Sequence, residues 1–322
     1  MSKTCIVTGG AGFIGSALSA GLVRRFDRVI AFDSLLAQVH GDTPRPPELD
    51  PAVELYRADV REAQAWTALL DTVDAVDTVI DLAAETGTGQ SLFSSTRHTS
   101  VNVVGTSRMM DALAQTGKIP RQLLLTSSRA IYGEGAWRSA EGEIFYPGQR
   151  TDAQLAAVYL PANAAWTQPH PTSVYGATKL CQEHLLKAWG GATGTQVKIV
   201  RLQNVYGPGQ SLINAYTGIV PLFVRMAKAG QSIPLYEDGQ IVRDFVLIDD
   251  VRDAILAALD RDSAAGQTID IGTGRMTTIA DVAQVIARRY HAPAPHVSGD
   301  YRNGDVRGGA CDGEPARRLL DF

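Results

Sequence analysis

The segment "SVYGATK" puts Tyr175 and Lys179 four residues apart, a spacing that sets both side chains on one face of a helix. Free tyrosine ionises near pH 10, so only about one phenol in a thousand is a phenolate at neutral pH. Bringing it to pH 7 takes roughly 4 kcal/mol of added stabilisation of the anion, toward which a neighbouring ammonium contributes. The pair then reads as a general base. A second segment, "LLLTSSRAIYG" from Leu123 to Gly133, ends an apolar run on Thr126, Ser127 and Ser128. Hydroxyls at a strand end can hold the oxygen from which such a base takes its proton. Alone, Tyr-x-x-x-Lys is more often a plain helix surface, so the rest of the chain has to supply the company these residues keep.

"TGGAGFIG" supplies part of it. Gly9, Gly12 and Gly15 recur at G-x-x-G-x-x-G spacing, with Phe13 and Ile14 opening the following helix. Such a turn lets backbone N–H groups approach a pyrophosphate at the helix N-terminus. A second strand then ends on Asp33 and Ser34, roughly 20 residues on, as the dinucleotide fingerprint requires. A carboxylate there accepts from ribose hydroxyls and repels a 2′-phosphate, so the expected cofactor is NAD rather than NADP. Asp59 and Val60 end a third strand in "RADV". Asp59 can meet the adenine amine or, equally, cap the next helix. "DLAAE" ends a fourth strand, and its Leu82, Ala83 and Ala84 are slim enough for a cofactor to lie flat on the sheet.

The elements that must position these groups alternate between strand-like and helix-like through the first two thirds of the chain. That alternation predicts an α/β fold, a Rossmann-type doubly wound parallel sheet with helices on both faces, whose ligands bind at the carboxyl ends of the strands. Residues 1–206 are expected to form the NAD-binding domain, with segments near 241–272 returning to it. Residues 207–322 are expected to form mainly a smaller mixed α/β substrate-binding lobe. The stretch Glu134 to Thr172 breaks the rhythm, with one helical hint in "DAQLAAVYL".

The 322 residues are 45% apolar, enough for a substantial core, and carry a formal net charge of -4 without a basic block, which argues against a nucleic-acid partner. Cys5, Cys181 and Cys311 are too scattered for a disulfide framework or a metal site, as in a reducing cytoplasm. No apolar run reaches transmembrane length or resembles a signal peptide, so no membrane association is expected.

Taken together, the glycine turn, Asp33, the Ser128 strand end, Tyr175 and Lys179 resemble the extended short-chain dehydrogenase/reductase family, in its group of nucleotide-sugar epimerases and dehydratases. The resemblance runs from about Lys3 to Ala310, is weakest over 134–172, and extends to "NVVGT", "RLQNVYGPG", "RDFVLIDDV", "IGTG" and "YRNGDVR". It implies that Ser128 hydrogen-bonds the sugar hydroxyl that Tyr175 deprotonates, while hydride leaves the sugar carbon, usually C4, for NAD, and that Lys179 completes the catalytic set. It makes Asn102 a structural or proton-relay residue beside the cofactor. It assigns the nucleotide diphosphate of a nucleotide-sugar substrate to Asn204, Arg243 and Arg302, with Tyr236 beside them; ordinary surface ion pairs are the alternative for the two arginines. Members commonly form homodimers through two helices, here "TSRMMDALAQ" and "TKLCQEHLLKAW", whose apolar stripes could equally face the sheet.

The 4,6-dehydratases carry an Asp-Glu pair directly after the strand-end hydroxyl. Here Arg129 and Ala130 stand there, and neither can act as acid or base for water loss. Epimerisation at C4 is therefore expected, in the manner of bacterial sugar 4-epimerases of the dTDP-L-rhamnose or UDP-hexose kind, which "RLQNVYGPGQSL" and "AYTGIVPLF" suggest. Glu85 and Thr86, in "AAETGTGQSL", depart from the usual pattern and either select among sugars or cap the loop. The closing "PARRLLDF" is expected to leave one edge of the substrate site differently closed. The alternatives are a dehydratase, oxidase or decarboxylase on the same frame, with Glu85 or the 134–172 stretch supplying the missing groups, or a non-catalytic NAD-bound sensor.

Overall fold

A computed structural model describes residues 3–148, 151–212, 218–302 and 304–322. Part of "AYTGIVPLF" lies outside the described residues. Twelve elements build the frame: β1 (Thr4–Thr8), α1 (Phe13–Val23), β2 (Arg28–Asp33), β3 (Glu54–Arg57), α2 (Ala63–Asp71), β4 (Thr78–Asp81), α3 (Gly105–Gln115), β5 (Gln122–Ser128), α4 (Val174–Thr193), β6 (Gln196–Leu202), α5 (Ile248–Asp260) and β7 (Thr268–Ile271). The strands form one sheet in the order β7-β6-β5-β4-β1-β2-β3, with every pairing parallel. The fold is thus a doubly wound Rossmann-type α/β sheet. Its strand order reverses between β1 and β4, which opens a crevice at their carboxyl ends.

Strand alternation sorts the core into two layers. Val7, Ile80, Leu124 and Val200 pack against Leu18 and Leu22 of α1 and Ile255 and Leu259 of α5. Ile6, Val79, Leu123 and Leu125 face the other way, onto Trp66, Met109, Leu113 and Leu186 of α2, α3 and α4. The apolar stripes of α3 and α4 are therefore sheet-facing core. A separate cluster of Phe223, Ile233, Ile279 and Ile286 holds together the helices Ile219–Lys228 and Ile279–Arg289, so residues after 207 divide between this cluster and the main sheet, which α5 and β7 join.

The 134–172 stretch is not the helix hinted at by "DAQLAAVYL". A short turn of helix, Asp152–Leu155, gives way to strand Val158–Tyr159, which pairs with Trp137–Arg138 and through it with Ile144–Phe145. The Trp137 and Tyr159 rings meet edge to face at 5.5 Å and pack on Ala310, so the aromatic residues fasten this stretch to the end of the chain. Among the described residues no helix is long and apolar enough to cross a membrane.

Candidate active site

The crevice between β1 and β4 has a cradle shape. Gly9 takes φ of +62°, and a Cβ there would lie 2.9 Å from the Ala83 backbone nitrogen, so only glycine permits this approach of the two strand ends. Helix α1 starts after Gly12 with no side-chain cap, leaving its first N–H groups directed at the crevice. The Asp33 carboxylate accepts from the Ala11 and Leu35 amides at 3.0 and 2.8 Å and is buried at the rim, while Ser34 is exposed beside it. Asp81 supports the floor: Thr8 and Thr106 donate to it at 2.6 and 2.9 Å, and the Thr8 hydroxyl in turn accepts from the Leu82 and Ala83 amides at 3.1 Å each. A glycine cradle, an uncapped helix start and a rim carboxylate fit the pyrophosphate and ribose of NAD.

Three residues expected at the cofactor have protein partners there. Asp59 forms an Asx turn to the Arg61 amide at 2.9 Å and pairs with the Arg61 guanidinium at 2.6 Å, and that hydrogen bond lowers its carboxyl pKa. Val60 is buried and packs on Gly105. Asn102 is fully buried, accepts from the Glu85 amide at 2.8 Å, and donates to the Glu85 carbonyl and the Thr178 hydroxyl at 3.0 and 2.9 Å. With its amide bonded to these partners, Asn102 ties the end of β4 to α4. It sits in a π-helical turn, Ser100–Val104, wedged between helix Ser95–Thr99 and α3. The helical periodicity of "VNVVGTSRMMDALAQTG" gave no sign of this turn, a form often found at functional sites.

The chemical groups gather at the end of β5. Ser128 caps the 3-10 turn Arg129–Tyr132, its hydroxyl accepting from the Ala130 amide at 3.1 Å. Burial pushes the Tyr175 phenol up, while the neighbouring Ser128 hydroxyl and the Arg129 charge pull it back. The Lys179 ammonium donates to the Thr126 carbonyl at 2.9 Å, and burial lowers it to about 8 against the opposing pull of Asp81 and Glu183. The Arg129 charge, which sequence reasoning weighed only as a missing acid, also favours the phenol's anion. Ser127 faces away and donates to Glu183 at 2.5 Å.

Opposite this end lie the residues expected to hold substrate. Arg243 donates to the carbonyls of Val242 and Val306, each at 2.7 Å; burial and the neighbouring Arg129 charge lower it to about 9. Among the described residues it forms no ion pair. The Asn204 side-chain oxygen is buried without a hydrogen-bond partner among the described residues, as suits a group directed at a ligand. Arg302 stacks on the Tyr236 ring at 5.1 Å, at the exposed rim. Glu85 is drawn off by Arg97 at 2.8 Å, and Thr86, exposed, gives its carbonyl to His98 at 3.2 Å. The loop-capping alternative thus describes the Glu85 backbone, and the carboxylate is not presented as an acid. Among the described residues no cluster of His, Cys, Asp and Glu is placed to hold a metal ion.

Residues 5–272 match the family described as "Epimerase: NAD dependent epimerase/dehydratase family". The chain is 55% identical over 318 residues to dTDP-L-rhamnose 4-epimerase of Burkholderia thailandensis, covering 96% of this chain and 87% of that protein. Its fold matches the UDP-glucose 4-epimerase of Thermus thermophilus, solved in complex with NAD, with a TM-score of 0.79 and 27% identity over 98% of this chain and 92% of that one. The UDP-glucose 4-epimerase of Thermotoga maritima, solved with UDP-glucose, matches with a TM-score of 0.80 and 25% identity over 99% and 93% of the two chains.

Proposed function

The chain belongs to the NAD dependent epimerase/dehydratase family, and from that premise we propose that this NAD-dependent nucleotide-sugar 4-epimerase acts on dTDP-L-rhamnose, inverting its C4. The observation that carries the substrate is the 55% identity to a dTDP-L-rhamnose 4-epimerase along 96% of the chain. In this reading Tyr175 takes the proton of the sugar C4 hydroxyl and Ser128 holds its oxygen. NAD, which the Gly9–Gly15 turn and Asp33 would hold, would supply reversible hydride acceptance at C4. As the ketone forms, Ser128 and the protonated Tyr175 donate hydrogen bonds to its oxygen. Turning the ketone over in the site before hydride return inverts the carbon, and Tyr175 then restores the proton. Lys179 secures the base of α4 to β5 through Thr126, and Arg243 and Asn204 meet the nucleotide diphosphate. Water loss has no support at the position after Ser128, nor at Glu85, which Arg97 occupies.

Two coarser expectations belong to the same proposal: a homodimer in the cytoplasm, and a division of labour near residue 206 between cofactor and substrate binding. The test is incubation with dTDP-L-rhamnose and, separately, UDP-glucose, with no added nicotinamide reductant. Proton NMR should show conversion of dTDP-L-rhamnose to its C4 epimer at unchanged mass. A product lighter by water, or turnover of UDP-glucose alone, would overturn the assignment.

A further inference from the structure

We propose that Glu134 is a positioning residue for Arg243: through the single peptide group between Val306 and Arg307, its carboxylate fixes the guanidinium that meets the nucleotide diphosphate. The proposal rests on the reading of Arg243 as a diphosphate-binding group.

The peptide between Val306 and Arg307 is bonded on both sides. Its carbonyl oxygen accepts from Arg243 Nη2 at 2.7 Å, and its N–H donates to Glu134 Oε2 at 3.0 Å. A cation and a carboxylate thus face each other across one planar unit. Both bonds are charge-assisted, and each polarises the peptide in the sense that strengthens the other. The next carbonyl, that of Arg307, accepts from Arg243 Nη1 at 3.4 Å and from the Val242 amide at 2.9 Å. The strand Val242–Arg243 and the tract at Val306 and Arg307 therefore hold each other. The Arg307 guanidinium is anchored as well, by Glu237 and Asp238 at 3.1 and 2.6 Å. These two residues follow Tyr236, the ring on which Arg302 stacks. The peptide gripped by Glu134 ties Arg243 to the segment that carries Tyr236.

The chain around Glu134 directs it to this peptide. Glu134 lies between Gly133 and Gly135, at φ of +58° and +69°, and a Cβ on Gly133 would collide with the His170 carbonyl oxygen. The turn leaves the Glu134 side chain 4% exposed. Its carbonyl accepts from Trp137 Nε1 at 2.8 Å, and its carboxylate accepts from the Gln154 amide at 2.5 Å, a side chain that is itself fully buried. Burial raises the Glu134 carboxyl, and the charges of Arg243 and Arg129 oppose that rise. Burying a carboxylate is costly unless it is bonded, and here the bonds lead to Arg243. The 134–172 stretch supplies both Glu134 and Gln154, so its small sheet and helical turn acquire a task at the substrate end.

The experiment is a double-mutant cycle read by calorimetric titration with dTDP, and with UDP in parallel. Glu134→Gln keeps an acceptor oxygen for the Arg307 amide and removes the charge. It should weaken nucleoside diphosphate binding about fivefold and raise the KM of dTDP-L-rhamnose by the same factor, with kcat within twofold and NAD affinity unchanged. Arg243→Met should weaken binding at least as much, and the double variant no further than Arg243→Met alone. Gln154→Leu, which withdraws the support of the carboxylate without touching the peptide, is run through the same cycle and should give a smaller, equally non-additive loss. An unchanged Kd in Glu134→Gln, losses that add in full in the double variants, or a loss confined to kcat would overturn the proposal. Arg243→Met binding as tightly as wild type would overturn the reading of Arg243 and the proposal with it. If wild type binds UDP alone, the base assignment fails and the same cycle is read with UDP.

Discussion

The Ser127 hydroxyl leads into a chain of charges in which every member has a partner, while the Ser128 hydroxyl, one residue on, leads to cations that have few. From Ser127 the path runs to Glu183, which Arg201 grips through two bonds at 2.9 and 2.7 Å. Arg201 also donates to the Tyr132 hydroxyl at 2.8 Å, and Tyr132 donates to Asp270 at 2.9 Å. This chain joins β5, α4, β6 and β7 beneath the site. On the Ser128 side, among the described residues, Arg243 and Lys179 donate only to backbone carbonyls, and Arg129 to none. The two regions share depth and differ in closure. A closed buried network specifies one arrangement of the strands, whereas the cations on the Ser128 side bond to no carboxylate among the described residues.

The comparison can be broken most directly at the phenol. Tyr175→Phe should cut kcat by about 10²–10⁴-fold with an unchanged thermal unfolding midpoint, as sugar interconversion and calorimetry would show together. On the closed side, Glu183→Leu strands Arg201, which is 5% exposed against 2% for its partner, and should cost about 3–5 kcal/mol in urea unfolding. The double variant Glu183→Leu/Arg201→Met should regain at least half of that loss; a double no more stable than the single would mean that the charges do more than satisfy each other.

A smaller effect belongs to Asp270, whose carboxyl burial raises to about 7 from 3.8 against the pull of Arg201. The folded state holds this proton more tightly than the unfolded chain, so the contribution is fully present below about pH 4 and lost as pH rises through about 7. Asp270→Asn keeps an acceptor for Tyr132 and removes the titration. Between pH 5 and 8 the wild-type unfolding midpoint should therefore fall by roughly 2–4 °C relative to the variant. Smallest is the expected effect of Arg129→Met on stability. Removing a partly buried cation that bonds to no acid among the described residues should leave the urea midpoint equal to wild type or above it, opposite in sign to Glu183→Leu.

Much of this molecule could be read along the chain. The turn at Gly9 to Gly15, the strand ending in Asp33 and the Tyr175–Lys179 spacing are local patterns, and backbone sterics and helical periodicity act over a few residues. The sheet followed from the same alternation of strand and helix. The surroundings of Arg129, Asn102 and Lys179 were not legible in this way. Arg129 acquires its confinement from Gly309, Asn102 is consumed by Glu85 and Thr178, and Lys179 is turned to the Thr126 carbonyl. Sequence determined which groups were present and which strand ends carried them. Tertiary structure alone decided which charges would be neutralised, because a charge buried in a low-dielectric interior is governed by whatever partner the fold brings within a few ångströms, however far away that partner lies in the chain.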